Sequence, residues 1–231
     1  MFTKLGAFRF VADYQTPITA LESALAANAD QEIGGSLIVL PEAFNIGKGY
    51  REVGDCNHDP SVLFHLEDIA SRLNITFVAG LIIKTASGPD PPYSSAYVVD
   101  SSGFTLISHK AKPDYGKTPY TPCSIGCDVA NPFTRGEIAI GALICVDIDT
   151  PRHEAVLKRL KATDTANRIL CIPGCLGNQF SVSNITQTSP GCYVIVANSD
   201  RWGCKSGIGK DGVVLVLDPS GDENTIILSD V

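Results

Sequence analysis

Apolar, often β-branched residues come in short runs along this chain. Between the runs lie stretches with apolar positions every three or four residues, and clusters of Gly, Pro, Asp and Ser. Short runs bounded by turn residues predict buried strands, and the longer period predicts amphipathic helices. On this basis strands are expected at residues 5–11, 36–40, 75–83, 96–99, 104–108, 138–146, 169–172, 193–197 and 213–217. One helix opens at Thr16-Pro17, with Ile18, Leu21 and Leu25 on one face. A second opens at Asp59-Pro60, with Val62, Leu66, Ile69 and Leu73 inside. A third opens at Thr150-Pro151, with Val156, Leu157 and Leu160 inside. Asp100-Ser-Ser-Gly103 predicts a hairpin connection and Asp218-Pro-Ser-Gly221 a turn. Residues 112–132 are Pro-rich and strand-poor, residues 179–190 carry too much Ser, Thr and Asn for a helical pattern, and Gly207-Ile-Gly209-Lys210 reads as a turn. Strands alternating with helices predict a layered α/β fold. With no repeat or composition shift, residues 1–231 read as a single domain.

Three reactive side chains stand where these strands end. Glu42 follows Leu-Ile-Val-Leu-Pro, Lys110 follows Phe-Thr-Leu-Ile-Ser-His, and Cys145 closes Ile-Ala-Ile-Gly-Ala-Leu-Ile. Strand ends project side chains into a shared cleft, which makes these positions candidates for chemistry. Each also has a plain structural reading: core packing for the cysteine, a loop cap for the glutamate, a blunted sheet edge for the lysine.

Taken together, the three segments resemble the nitrilase superfamily of carbon–nitrogen hydrolases. The matching stretches are Ser-Leu-Ile-Val-Leu-Pro-Glu42, His109-Lys110-Ala-Lys112 and Gly141-Ala-Leu-Ile-Cys145-Val-Asp147. They occur in the family's order, with separations of 68 and 35 residues that are similar to the family's. Tyr193-Val-Ile-Val-Ala-Asn198 and residues 212–221 resemble its C-terminal strands, so the likeness spans residues 5–221. The resemblance implies a four-layer α-β-β-α sandwich, a Glu-Lys-Cys triad and a homodimer or higher homo-oligomer, with no cofactor and no metal. It implies Cys145 as the nucleophile that forms a thioester, Glu42 as general base and Lys110 as oxyanion stabiliser, with the Val146 backbone N–H as a second donor. The implied substrate is a small-molecule amide or nitrile. An amide fits better, because nitrilases often carry Trp-Glu after the nucleophile where this chain has Val146-Asp147.

Two departures bear on the substrate. Lys117, in Tyr115-Gly116-Lys117, stands where many relatives carry a second glutamate. Arg152 follows Pro151 where many carry Pro-Glu. Lys117 and Arg152 are therefore assigned to binding an anionic group of the substrate. The same departures support an alternative, a nitrilase-like binding or scaffold protein without turnover.

Composition narrows the setting. At 44% hydrophobic and 19% charged the chain is ordinary globular protein. A net charge of −7 gives no electrostatic footprint for nucleic acid or an anionic membrane. The longest uncharged apolar stretches fall well short of the roughly 20 residues of a membrane helix. The first residues carry no long apolar region of a signal peptide, so a cytoplasmic location with free thiols is expected. Among the eight cysteines, Cys123, Cys127, Cys171 and Cys175 form two x3-spaced pairs that keep a zinc-stabilised module open as a lesser alternative. A Cys–His catalytic pair would need His58, His65, His109 or His153 beside Cys145; His109 points away if Lys110 faces the cleft. Asp147 and Asp149 suggest either a carboxylate metal cluster or, for Asp147, hydrogen bonding within the nucleophile turn. Trp202-Gly203 is a pocket-lining candidate, and no glycine-rich nucleotide loop is present.

Overall fold

A computed structural model describes residues 2–11, 16–46, 60–83, 93–111, 131–199, 204–218 and 223–231. The first half runs β1 (Lys4–Arg9), α1 (Pro17–Ala27), β2 (Leu37–Leu40), α2 (Ser61–Leu73), β3 (Thr76–Ile83), β4 (Tyr93–Asp100) and β5 (Gly103–His109). The second half runs β6 (Phe133–Arg135), β7 (Ile138–Ala142), α3 (Pro151–Lys161), β8 (Asn167–Gly174), α4 (Val182–Gln187), β9 (Tyr193–Asn198), β10 (Gly207–Lys210), β11 (Val213–Leu217) and β12 (Thr225–Asp230). One sheet has the order β12-β1-β2-β3-β4-β5 and the other β11-β10-β9-β8-β7-β6. In each, three parallel strands (β1-β2-β3 and β7-β8-β9) are flanked by antiparallel neighbours.

Period-2 alternation builds the layers. In the first sheet Leu5, Ala7, Leu37, Val39, Val78 and Val98 share a core with the second sheet. Their neighbours Phe8, Ile38, Leu40, Phe77 and Val99 pack with Leu21 and Leu25 of α1 and Leu66 and Ile69 of α2. A strand buried on both faces reads as a continuous apolar run, which is why these segments stood out. On the far side, α3 lies against β7, where a Cβ on Gly141 would meet Val156 and Leu160 at 3.1 Å. The result is the expected four-layer α-β-β-α sandwich. Among the described residues no helix is long and apolar enough to cross a membrane.

The structure departs from the sequence reading in several places. The strand expected over 138–146 ends at Ala142, and Cys145–Asp149 forms a 3-10 turn. Residues 179–190 do hold a helix, α4, started by Ser181, whose Oγ accepts the Asn184 N–H at 3.2 Å. The Gly207–Lys210 fragment is a strand: Cβ atoms on Gly207 and Gly209 would lie 2.7 and 2.6 Å from Val182 and Thr186 of α4. Bare glycine backbone lets the short helix sit directly on that strand. β6 and β12 were not expected at all.

Candidate active site

Strand direction assembles the site. β2 and β7 run parallel to their central neighbours, and β5 runs in the direction of β3 because two antiparallel pairings separate them. Glu42, Lys110 and Cys145 therefore all follow the C-terminal ends of strands, Glu42 and Lys110 from one sheet and Cys145 from the other. The sheets approach closely here. A Cβ on Gly80 of β3 would lie 2.6 Å from Pro173 Cβ of β8 and 2.8 Å from Glu42 Cα.

All three side chains are buried, with exposures of 3% for Glu42, 6% for Lys110 and 1% for Cys145. Lys110 Nζ donates to Glu42 Oε1 at 2.8 Å, and Ser94 Oγ donates to the same oxygen at 3.1 Å. Glu42 Oε2 is buried and has no hydrogen-bond partner among the described residues. A buried ion pair is costly to desolvate, and an unpartnered buried oxygen adds to that cost. An orphaned acceptor of this kind is what a group waiting to take a proton looks like.

Cys145 opens the turn with φ +51, a left-handed conformation unusual for a residue with a Cβ. The turn is closed by the Asp147 N–H on the Ile144 carbonyl at 3.1 Å and by Thr150 Oγ1 on the Asp147 carbonyl at 2.6 Å. Such strain concentrates at functional sites. Burial pushes the Cys145 pKa well above the usual thiol range, and the Glu42 carboxylate raises it further. The Lys110 ammonium and a hydrogen bond with the Cys175 backbone pull the other way. The resting group is a neutral thiol. Among the described residues no histidine acts on it.

The neighbouring histidines are engaged elsewhere. His109 Nδ1 pairs with Ser95 Oγ at 2.7 Å and its ring lies 4.8 Å from that of Tyr93. Burial and the Arg152 charge lower its pKa, keeping it neutral. His153 Nε2 pairs with Ser189 Oγ at 2.9 Å, and His65 is exposed on α2.

Asp147, fully buried, accepts the Ala111 N–H at 3.0 and 3.2 Å, so its carboxylate serves the turn. Arg152, expected to meet an anionic substrate, is turned inward instead. Its Nη2 donates to the His109 carbonyl at 2.8 Å and its Nε lies 4.0 Å from Asp147 Oδ2. Val146 is partly buried directly after Cys145. Lys117, Trp202, Cys123, Cys127 and His58 lie outside the described residues. Cys171 is buried in β8, and Cys175 sits beside Cys145 with Ser199 Oγ donating to its sulfur at 3.1 Å. Among the described residues no cluster of three or more His, Cys, Asp or Glu could hold a metal.

Ser94 and Asn45 escaped the sequence reading. Asn45 accepts the Ile82 N–H at 2.9 Å and donates to the Ile82 carbonyl at 2.7 Å, pinning the turn after Glu42 to β3. The available signal for Ser94 was a Ser-Ser pair near the start of a strand that is otherwise apolar or aromatic up to Asp100.

A family model described as carbon-nitrogen hydrolase matches residues 12–227. No curated protein matches the sequence at a significant level. Solved structures are similar in fold. An amidase from Nesterenkonia sp. superposes with a TM-score of 0.75 at 19% identity, covering 99% of this chain and 90% of that one. Saccharomyces cerevisiae Nit3, a member of branch 10 of the nitrilase superfamily, gives 0.73 at 17% identity, covering 98% and 89%. The C. elegans NitFhit protein gives 0.73 at 16% identity, covering 100% of this chain and 62% of that one.

Proposed function

The chain belongs to the carbon–nitrogen hydrolase family, and on that premise we propose that it is an amidase acting on a small non-peptide amide through a Cys145 thioester. The observation that carries this reading is the buried Lys110–Glu42 contact, with the second Glu42 oxygen unpartnered among the described residues and Glu42 acting electrostatically on the buried Cys145 thiol. Glu42 takes the thiol proton as the sulfur attacks the amide carbon. The oxyanion forms beside the Lys110 ammonium, with the Val146 N–H as second donor. Glu42 then delivers the proton to the departing nitrogen, the C–N bond breaks and the amine leaves. Water attacks the thioester and gives one proton to Glu42, which returns it to the departing sulfur as the C–S bond breaks, leaving the carboxylic acid and the free thiol. Because burial favours the neutral thiol, the sulfur needs Glu42 to take its proton in order to attack. The amidase fold neighbours and Val146-Asp147 after the nucleophile support an amide over a nitrile.

A panel of small aliphatic and aromatic amides, followed by ammonia release, tests this. Cys145→Ala abolishes turnover, and Glu42→Gln lowers kcat by at least about 100-fold, within the usual reach of a general base. Peptide mapping after brief iodoacetamide treatment shows one adduct, at Cys145, and Glu42→Gln slows its formation because the thiol loses its proton acceptor. An inert panel, or alkylation spread evenly over the cysteines, sinks the proposal in favour of a binding protein.

A further inference from the structure

Cys145 and Lys110 come from different sheets, yet the proposed reaction needs a fixed distance between the sulfur and the ammonium. We propose that Asp147 and Arg152 are positioning residues that grip the backbone on both sides of Lys110 and lock it to the cysteine turn. This rests on the reading of Lys110 and Cys145 given above. Arg152 Nη2 holds the carbonyl of the preceding residue, His109, at 2.8 Å. Asp147 holds the N–H of the following residue, Ala111, with both carboxylate oxygens, at 3.0 and 3.2 Å. The Lys110 N–H itself donates to the Ser94 carbonyl at 2.8 Å. The backbone around Lys110 is thus held at three successive residues.

The two grips form one device. Asp147 lies in the Cys145–Asp149 turn and Arg152 in the first turn of α3. Thr150 between them donates Oγ1 to the Asp147 carbonyl at 2.6 Å and accepts the Arg152 N–H at 3.2 Å. Both charged side chains are buried, and their opposite charges face each other across 4.0 Å. A charge-assisted, geometrically fixed contact suits Arg152 in a way that an ammonium does not reproduce. Any shift of the cysteine turn carries Lys110 with it, so the oxyanion-stabilising charge keeps its place.

The test uses Arg152→Gln, Arg152→Lys and Asp147→Asn in the full chain. Three readouts are compared: kcat and KM on the best neutral amide, the pH profile of Cys145 alkylation by iodoacetamide, and the melting temperature. Arg152→Gln is expected to lower kcat roughly 10- to 100-fold with KM within about twofold, the usual effect of losing an outer partner. Its alkylation profile moves to higher pH, because Lys110 no longer favours the thiolate as strongly. Asp147→Asn, which retains an acceptor for Ala111, gives a smaller loss in the same direction. Arg152→Lys falls between Arg152→Gln and the unaltered protein, and is the decisive variant if Arg152→Gln does not fold. Unaltered kcat and alkylation profile with only a lower melting temperature overturn the proposal. So does a KM that rises for anionic amides alone, which would return Arg152 to the substrate. If the unaltered protein hydrolyses no amide, the amidase reading fails, while the alkylation profile still decides the clamp.

Discussion

At the scale of single residues, the site turns on one oxygen. Glu42 Oε1 already accepts from Lys110 and Ser94, so the carboxylate is held with its other oxygen available. Ser94 therefore governs orientation. Ser94→Ala is expected to lower kcat about tenfold with little change in KM, while stability falls by only about 1 kcal/mol, the net worth of one hydrogen bond. Ser94→Thr, which keeps the hydroxyl, should recover most of the rate. A proportional loss of kcat and folded protein in both variants would assign Ser94 a purely structural part. Glu42, Lys110 and Cys145 stand out in the sequence as reactive residues ending apolar runs, and the family resemblance is what joins them into one candidate site. Ser94 does not stand out, since a serine in a strand has many uses. Arg152 was legible as a cation but not as an inward-facing one, because direction depends on the Asp147 and His109 groups that folding brings to it.

Among elements, the apolar runs found the central strands, because burial on both faces leaves a continuous signal. What they missed depends on contacts between distant segments. Gly207 and Gly209 look like turn residues until α4 is laid on them, and α4 looks too polar until Val182 and Thr186 meet that glycine strip. Cys145 looked like the end of a strand because apolar character continues past Ala142; the Leu143 N–H still reaches the Cys171 carbonyl at 3.0 Å before the chain turns. Gly80 is the element-scale control on the site. Its missing Cβ makes room for Pro173 of the opposite sheet and for the backbone of Pro41 and Glu42. Neither the Pro41 carbonyl nor the Glu42 Cα, at 2.8 Å from the built Cβ, can yield as a flexible side chain would. Gly80→Ala is expected to cost about 1–3 kcal/mol, the range for overpacking, and to lower kcat by displacing Glu42. Urea unfolding and a rate assay below the transition check the two effects; a destabilised variant with full kcat would separate sheet spacing from base placement.

For the whole molecule, the buried thiols make a prediction about alkaline stability. Burial raises the pKa of Cys145, Cys171, Cys192 and Cys204, the last to about 11. In the unfolded chain these thiols return to about 8.5. Below that pH both states hold the proton and the thiols contribute no slope. Above it the unfolded chain releases protons that the folded chain retains, so the unfolded state is favoured and stability falls as pH rises. Each such thiol adds about 1.4 kcal/mol per pH unit within its own window, which for Cys204 closes near pH 11. Cys171 is the cleanest probe: it is fully buried in β8, desolvation alone shifts it, and its window extends beyond that of Cys204. Cys171→Val replaces it with an apolar residue that suits a strand. Urea midpoints under reductant should fall for the unaltered protein between pH 8.5 and 10.5, with a shallower fall for Cys171→Val by about one thiol's share. Tyrosine and lysine ionisation are common to both proteins and cancel in the comparison. Parallel curves would mean that water reaches the Cys171 thiolate in the folded state, and that the core between β8 and its neighbours opens at alkaline pH without unfolding.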